Sequence, residues 1–249
     1  MSQWVLRGLR TGIKTTPYPQ APDVTAGVTP GRPLSGEYRG EQARLLVNRC
    51  PTGALRETED RVVVDYRRCV HSFRCLHGTP TPLPWASDYE WARLRTHNGP
   101  RFGKAFERSL HILVVDAGDC GACLNEVKQL SNPYYNLHRV GLFITPTPRQ
   151  ADVLLVVGPV TDHMRLPLQK AFDAMPPPKA VVAVGACALS GSVFGPSFVC
   201  GAGVAELLPV DVEVPGHPPP PLAILHGLLL ATGRTRSAPQ TPTGEAGDG

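Results

Sequence analysis

Long apolar runs are missing from this 249-residue chain. The longest lipid-compatible stretch, near residues 222–231, falls far short of the roughly 20 residues that a membrane span requires. Charged residues are sparse at 18%, aromatics make up 6%, and the net charge is only +4. Neither a dense basic stripe nor a recognised nucleic-acid motif occurs, so nucleic-acid binding is not expected. Arg7, Arg10 and Lys14 lie near the start, but no continuous apolar segment or small-residue cleavage site accompanies them, and no export leader is expected. Gly118-x-x-Gly121 lacks the spacing of a dinucleotide loop. No constellation of general acid, base and nucleophile is evident, so the chain alone is not expected to turn over a substrate. What is present is a 42% hydrophobic fraction, enough for a real core, and seven cysteines. An odd number of cysteines without an export leader reads as metal or cluster ligation rather than a disulfide framework.

Composition divides the chain into an N-terminal extension (1–39), a small cysteine-bearing module (40–84), a polar connector, helical or irregular (85–109), a main domain (110–231) and a Ser/Pro/Thr/Gly tail (232–249) expected to be disordered. In the main domain, Ile112-Leu113-Val114-Val115, Val153-Leu154-Leu155-Val156-Val157 and Ala180-Val181-Val182-Ala183-Val184 are near-continuous aliphatic runs. Runs of this kind belong to parallel strands covered on both faces. Helical stretches fit at 124–130, at 164–175 before three prolines, and at 222–230. The expected fold is α/β, a flavodoxin-like doubly wound parallel sheet, whose ligands sit beyond the carboxyl ends of the strands.

Cys120 and Cys123 follow the first long strand, and Cys187 follows the third. The Pro215-Gly216-His217-Pro218-Pro219 loop precedes the last helix and can bring His217 to the same rim. Three thiolates and an imidazole suit zinc or a cubane cluster. On spacing alone, zinc, a cluster and no metal all stay open. Cys200, in an apolar setting, reads as a small buried hydrophobe.

These residues also carry a family resemblance. Asp116-x-Gly118-x-Cys120-Gly121-x-Cys123-x-x-Glu126 resembles the proximal-cluster loop of NiFe-hydrogenase small subunits. Asn132-Pro133-Tyr134-Tyr135-Asn136, Pro178-Lys179-x-Val181-x-Ala183-Val184-Gly185-x-Cys187 and Leu208-Pro209-Val210-Asp211-Val212-x-Val214-Pro215-Gly216 continue it. The similarity is to the membrane-bound, energy-converting hydrogenase branch and to the B-type (20 kDa) subunit of respiratory complex I. It implies a 4Fe–4S cluster held by Cys120, Cys123, Cys187 and a fourth cysteine, where this chain has His217. It further implies partner-facing roles for Glu126 and Arg139, a hydrogenase-type large subunit and membrane subunits as partners, and a peripheral place on the inner, cytoplasmic face of the membrane. The implied function is electron relay to a large catalytic subunit. The alternative is a structural or assembly subunit whose clusters have decayed.

Cys50-Pro51-Thr52-Gly53-Ala54-Leu55 resembles the fourth-cysteine turn of a two-cluster ferredoxin. In that register the first triplet falls on Gly40, Ala43 and Leu46, and the second repeat on Cys69, Ser72, Cys75 and Thr79. Because the fourth cysteine of each repeat serves the other repeat's cluster, one site has lost every ligand. The other keeps Cys50, Cys69 and Cys75, with Ser72 at the remaining position. The expectation is a degenerate ferredoxin-like α+β module with one erased site. A second cluster, 3Fe–4S or 4Fe–4S, is a candidate for the other site.

Overall fold

The computed structural model describes residues 3–95, 102–191, 193 and 195–235. Part of the connector (96–101) and most of the expected disordered tail (236–249) lie outside them. In chain order the strands are β1 (Arg32–Pro33), β2 (Leu55–Glu57), β3 (Val62–Val64), β4 (Trp85–Ala86), β5 (Arg93–Leu94), β6 (Leu110–Asp116), β7 (Leu142–Ile144), β8 (Val153–Val157), β9 (Ala180–Val184) and β10 (Val212–Val214). The α-helices are α1 (Gln3–Thr11), α2 (Gly40–Arg49), α3 (Ala122–Gln129), α4 (Asp162–Ala174), α5 (Ala186–Ser190) and α6 (Pro221–Ala231).

Six strands form the main sheet in the order β5-β10-β9-β8-β6-β7, all parallel except β5 at one edge. The parallel set β7-β6-β8-β9-β10 has the flavodoxin-like order, with the second strand outside the first. Every residue of β8 and β9 is buried, as their unbroken aliphatic text requires. Alternate side chains serve opposite layers. Val153, Leu155, Val157, Val182 and Val184 pack with α3 and α6. Leu154, Val156, Val181 and Ala183 pack with α4 and α5. Sheets covered on both faces by helices bury their strands in this way. All eleven residues of α6 are buried, the pattern of a helix that is apolar all round.

Two strands within the main domain, β7 and β10, are only three residues long and were not legible as strands. The stretch read as a connector also contributes structure. β4 pairs with β1, and β5 adds antiparallel to β10. Trp91 and Ala92 from this stretch join the same apolar cluster as α6. The backbone N–H of Ala92 donates to His226 Nδ1 at 3.3 Å.

The 40–84 stretch has a small core of its own, in which α2 lies against the β2–β3 hairpin. Gly40 opens α2, and Ala43 and Leu46 are wholly buried in that core. Side chains at two of the positions that the ferredoxin register would give to ligands therefore pack as hydrocarbon. Leu46→Ala should destabilise the protein by about 2–5 kcal/mol through the cavity it leaves. Urea unfolding checks this, and a change below about 0.5 kcal/mol would mean that α2 is peripheral to the fold.

Candidate metal centre

The carboxyl ends of β6, β8, β9 and β10 share one rim, and the gap between β6 and β8 is the topological switch point. The loop after β6 is built on two carboxylates. Asp116 Oδ1 accepts the N–H groups of Gly118 at 2.9 Å and Asp119 at 2.7 Å. Asp119 Oδ2 accepts those of Gly121 and Leu124, both at 3.0 Å, and so occupies free donors at the start of α3. This holds Cys120 exposed on the loop and Cys123 inward from the first turn of α3, 1% exposed. Gly158 closes the other side of the switch point. A Cβ there would lie 2.5 Å from the Asp119 nitrogen, so the loop needs glycine at φ +91°.

Cys187 and His217 are brought together by the backbone. Gly185 N–H donates to the Val214 carbonyl and Ala186 N–H to the Gly216 carbonyl, each at 2.8 Å. These bonds extend the β9–β10 pairing past the strand ends. Cys187 Sγ and His217 Nδ1 then stand 4.0 Å apart. At Gly185 (φ +91°) a Cβ would sit 2.5 Å from Cys123 Sγ. Glycine thus leaves room for the Cys123 sulfur against the β9 end, which ties the first thiol to the second loop.

The three thiols share one electrostatic neighbourhood. Burial pushes the Cys123 thiol far above its usual range, and Asp119, Cys187 and Cys120 push it the same way. Cys187 is raised by burial, then by Cys120 and Asp119, and is eased slightly by a backbone N–H from Val193. Buried thiols without a cation stay protonated. A positively charged iron or zinc centre is the species that would draw the protons off, which is the chemistry of this donor set. Among the described residues, no three His, Cys, Asp or Glu side chains converge at the spacing of a single bound metal ion. A cubane bonds each ligand to a different iron and so takes donors set further apart. Three thiols and an imidazole are a donor set that a cubane cluster or a zinc ion can take.

Cys200 is 5% exposed, and its thiol donates to the Gly191 carbonyl at 3.3 Å, in keeping with a small buried side chain. Glu126 is half-buried on α3, and desolvation raises its carboxyl pKa. The Arg139 guanidinium donates to the carbonyls of Tyr18 and Tyr135, so it anchors the N-terminal extension to the domain. Cys50, Cys69, Cys75 and Ser72 line one pocket in the N-terminal part. Sequence reasoning passed over Asp116 and Asp119 as loop builders, although the Asp-x-Gly-Asp spelling is an Asx-turn signal. It also passed over His71. The two ring nitrogens of His71 are buried without partners, and its imidazole is pushed down to about 4 by burial and by His217. His71 stacks on Trp91 at 5.6 Å, and Trp91 Nε1 donates to the Pro215 carbonyl at 2.7 Å. The cysteine pocket of the N-terminal part therefore adjoins the His217 loop.

Comparison with known proteins places this geometry in a family. The profile described as NADH ubiquinone oxidoreductase, 20 Kd subunit matches residues 120–231. Formate hydrogenlyase subunit 7 of Escherichia coli is 38% identical over 152 residues, which are 61% of this chain and 58% of that protein. A probable membrane-bound hydrogenase subunit of Pyrococcus furiosus is 42% identical over 128 residues, 51% of this chain and 77% of its own length. A solved structure of the membrane-bound sulfane sulfur reductase, an archaeal respiratory membrane complex, aligns at 29% identity over 52% of this chain and 74% of that one, with a TM-score of 0.46. The matched segment contains Cys120, Cys123, Cys187 and His217, and the chain belongs to the family of the NADH ubiquinone oxidoreductase 20 Kd subunit.

Proposed function

We propose that this protein is the electron-transfer iron–sulfur subunit of a multisubunit hydrogenase-like or quinone-reducing complex. It would relay electrons between its N-terminal ferredoxin-like part and a large catalytic subunit. Its partners would be that large subunit and membrane subunits, with the chain peripheral on the inner face of the membrane; no described helix is long and apolar enough to cross one. The observation that carries the reading is the gathering of Cys120, Cys123, Cys187 and His217 on one strand-end rim, with the Cys187 and His217 donor atoms 4.0 Å apart. A 4Fe–4S cluster held there supplies reversible one-electron storage. Its ligands would come from the start of α3, the turn after β9 and the loop before α6, and their charges would set that of the centre. Imidazole in place of a fourth thiolate makes the centre less negative and raises its reduction potential. Glu126, half-buried on the helix that carries Cys123, is suited to face the partner subunit, as is the exposed part of Arg139. A competing reading, a structural subunit with decayed clusters, draws support from the hydrocarbon packing at Ala43 and Leu46.

A Cys50→Ser/Cys69→Ser/Cys75→Ser variant isolates this site. Anaerobic reconstitution should load it with about four irons and four sulfides and give an EPR signal on reduction. Well-folded protein with no signal would defeat the proposal and favour the structural subunit. His217→Cys in that background should lower the midpoint potential, read by redox titration; an unchanged potential would remove His217 from the ligand set. In cluster-free protein, thiol reactivity should follow the raised pKa values. A thiol whose pKa is raised gains thiolate only as pH climbs past the ordinary thiol range, about 8.5. Iodoacetamide near pH 8 should therefore label exposed Cys120 and spare Cys123, and labelling of Cys123 should appear only at higher pH. Mass spectrometry of the labelled peptides reads this directly.

A further inference from the structure

The N-terminal pocket has features that the ferredoxin register does not account for. It is partly open to solvent, and Cys50, Cys69, Cys75 and His71 line it together. Ala54 N–H donates to Cys50 Sγ at 3.2 Å. Such a bond stabilises sulfur that carries negative charge, as it does when bound to iron.

The loop between Cys69 and Cys75 is wound tightly, with His71 at φ 49° and Phe73 at φ 58°. Left-handed backbone at two non-glycine residues is unusual and has to be held by its surroundings. Here Phe73 stacks on Trp85 at 5.0 Å, and His71 lies between Trp85 and Trp91. The winding leaves Ser72 exposed and carries the His71 ring inward. Both ring nitrogens are shut off from solvent and lack a hydrogen-bond partner, among aromatic rings that offer none. A buried polar group left unsatisfied is a penalty that a metal bond would remove.

We propose that this pocket is a second iron–sulfur site, with Cys50, Cys69, Cys75 and His71 as its four protein ligands, and that His71 takes the place the register gives to Ser72. Three thiolates with one imidazole suit a cluster, in which each protein ligand bonds a different iron. The assignment does not depend on the C-terminal centre being loaded.

The test uses the full chain with Cys120→Ser, Cys187→Ser and His217→Ala, which disables the C-terminal site but leaves buried Cys123 to the core. Circular dichroism confirms folding, and anaerobic reconstitution is followed by iron and acid-labile sulfide counts and pulsed EPR. The expected result is about four irons and four sulfides per chain with a nitrogen hyperfine coupling. His71→Cys should keep the cluster, remove the coupling and lower the potential, while Ser72→Ala should change nothing. Folded protein with no iron and sulfide overturns the site. So does iron that persists after Cys50, Cys69 and Cys75 are also replaced by Ser. A three-iron signal without nitrogen coupling, or loss of the cluster on Ser72→Ala alone, overturns the role of His71. Should the background variant fail to fold, Cys120→Ser with His217→Ala replaces it under the same criteria. Failure here with a loaded C-terminal site in its own isolating variant would leave the proposed function standing.

Discussion

The β9–β10 pairing governs the C-terminal site, because it does not stop where the strands stop. Two further backbone bonds, to Val214 and Gly216, keep the chains in register for the residues that carry Cys187 and His217. Parallel strands bring side chains from distant parts of the sequence to a common end, and a shift of register would turn them to the wrong face. The separation of a sulfur and a nitrogen thirty positions apart is thus fixed by amide hydrogen bonds rather than by the side chains themselves.

Much of this was open to reading without coordinates. The aliphatic runs of β6, β8 and β9 announced buried parallel strands. β7 and β10 escaped because three residues give no period to detect, and β5 because two residues, Arg93-Leu94, become a strand only by pairing with β10. The Cys120, Cys123 and Cys187 positions followed from where they stand relative to the strands. His71 did not, since counting in threes from Cys69 lands on Ser72 and steps over its neighbour. Which of two adjacent residues points inward is decided by the left-handed turns at His71 and Phe73, and no spacing rule encodes those.

The two halves of the N-terminal module pack differently at the positions that the ferredoxin register counts out. Ala43 and Leu46 sit on a regular helix whose inward face must be apolar, so hydrocarbon there improves the core. Cys50 lies at the end of α2, where its sulfur accepts the Ala54 N–H, and an apolar replacement would leave that donor unpaired.

Helix α6 is enclosed from both directions. The sheet covers one side, and Tyr18, Val28, Tyr89, Trp91 and Ala92, all earlier than residue 110, belong to the apolar cluster that closes around it. Gly227 is held against Val214 and Ala92 so closely that a methyl group there would collide with the Val214 side chain. A fragment cut before β6 would bare a broad greasy strip of leucines to water and invite clumping. The C-terminal half is thus covered in part by residues that come before the boundary seen in composition.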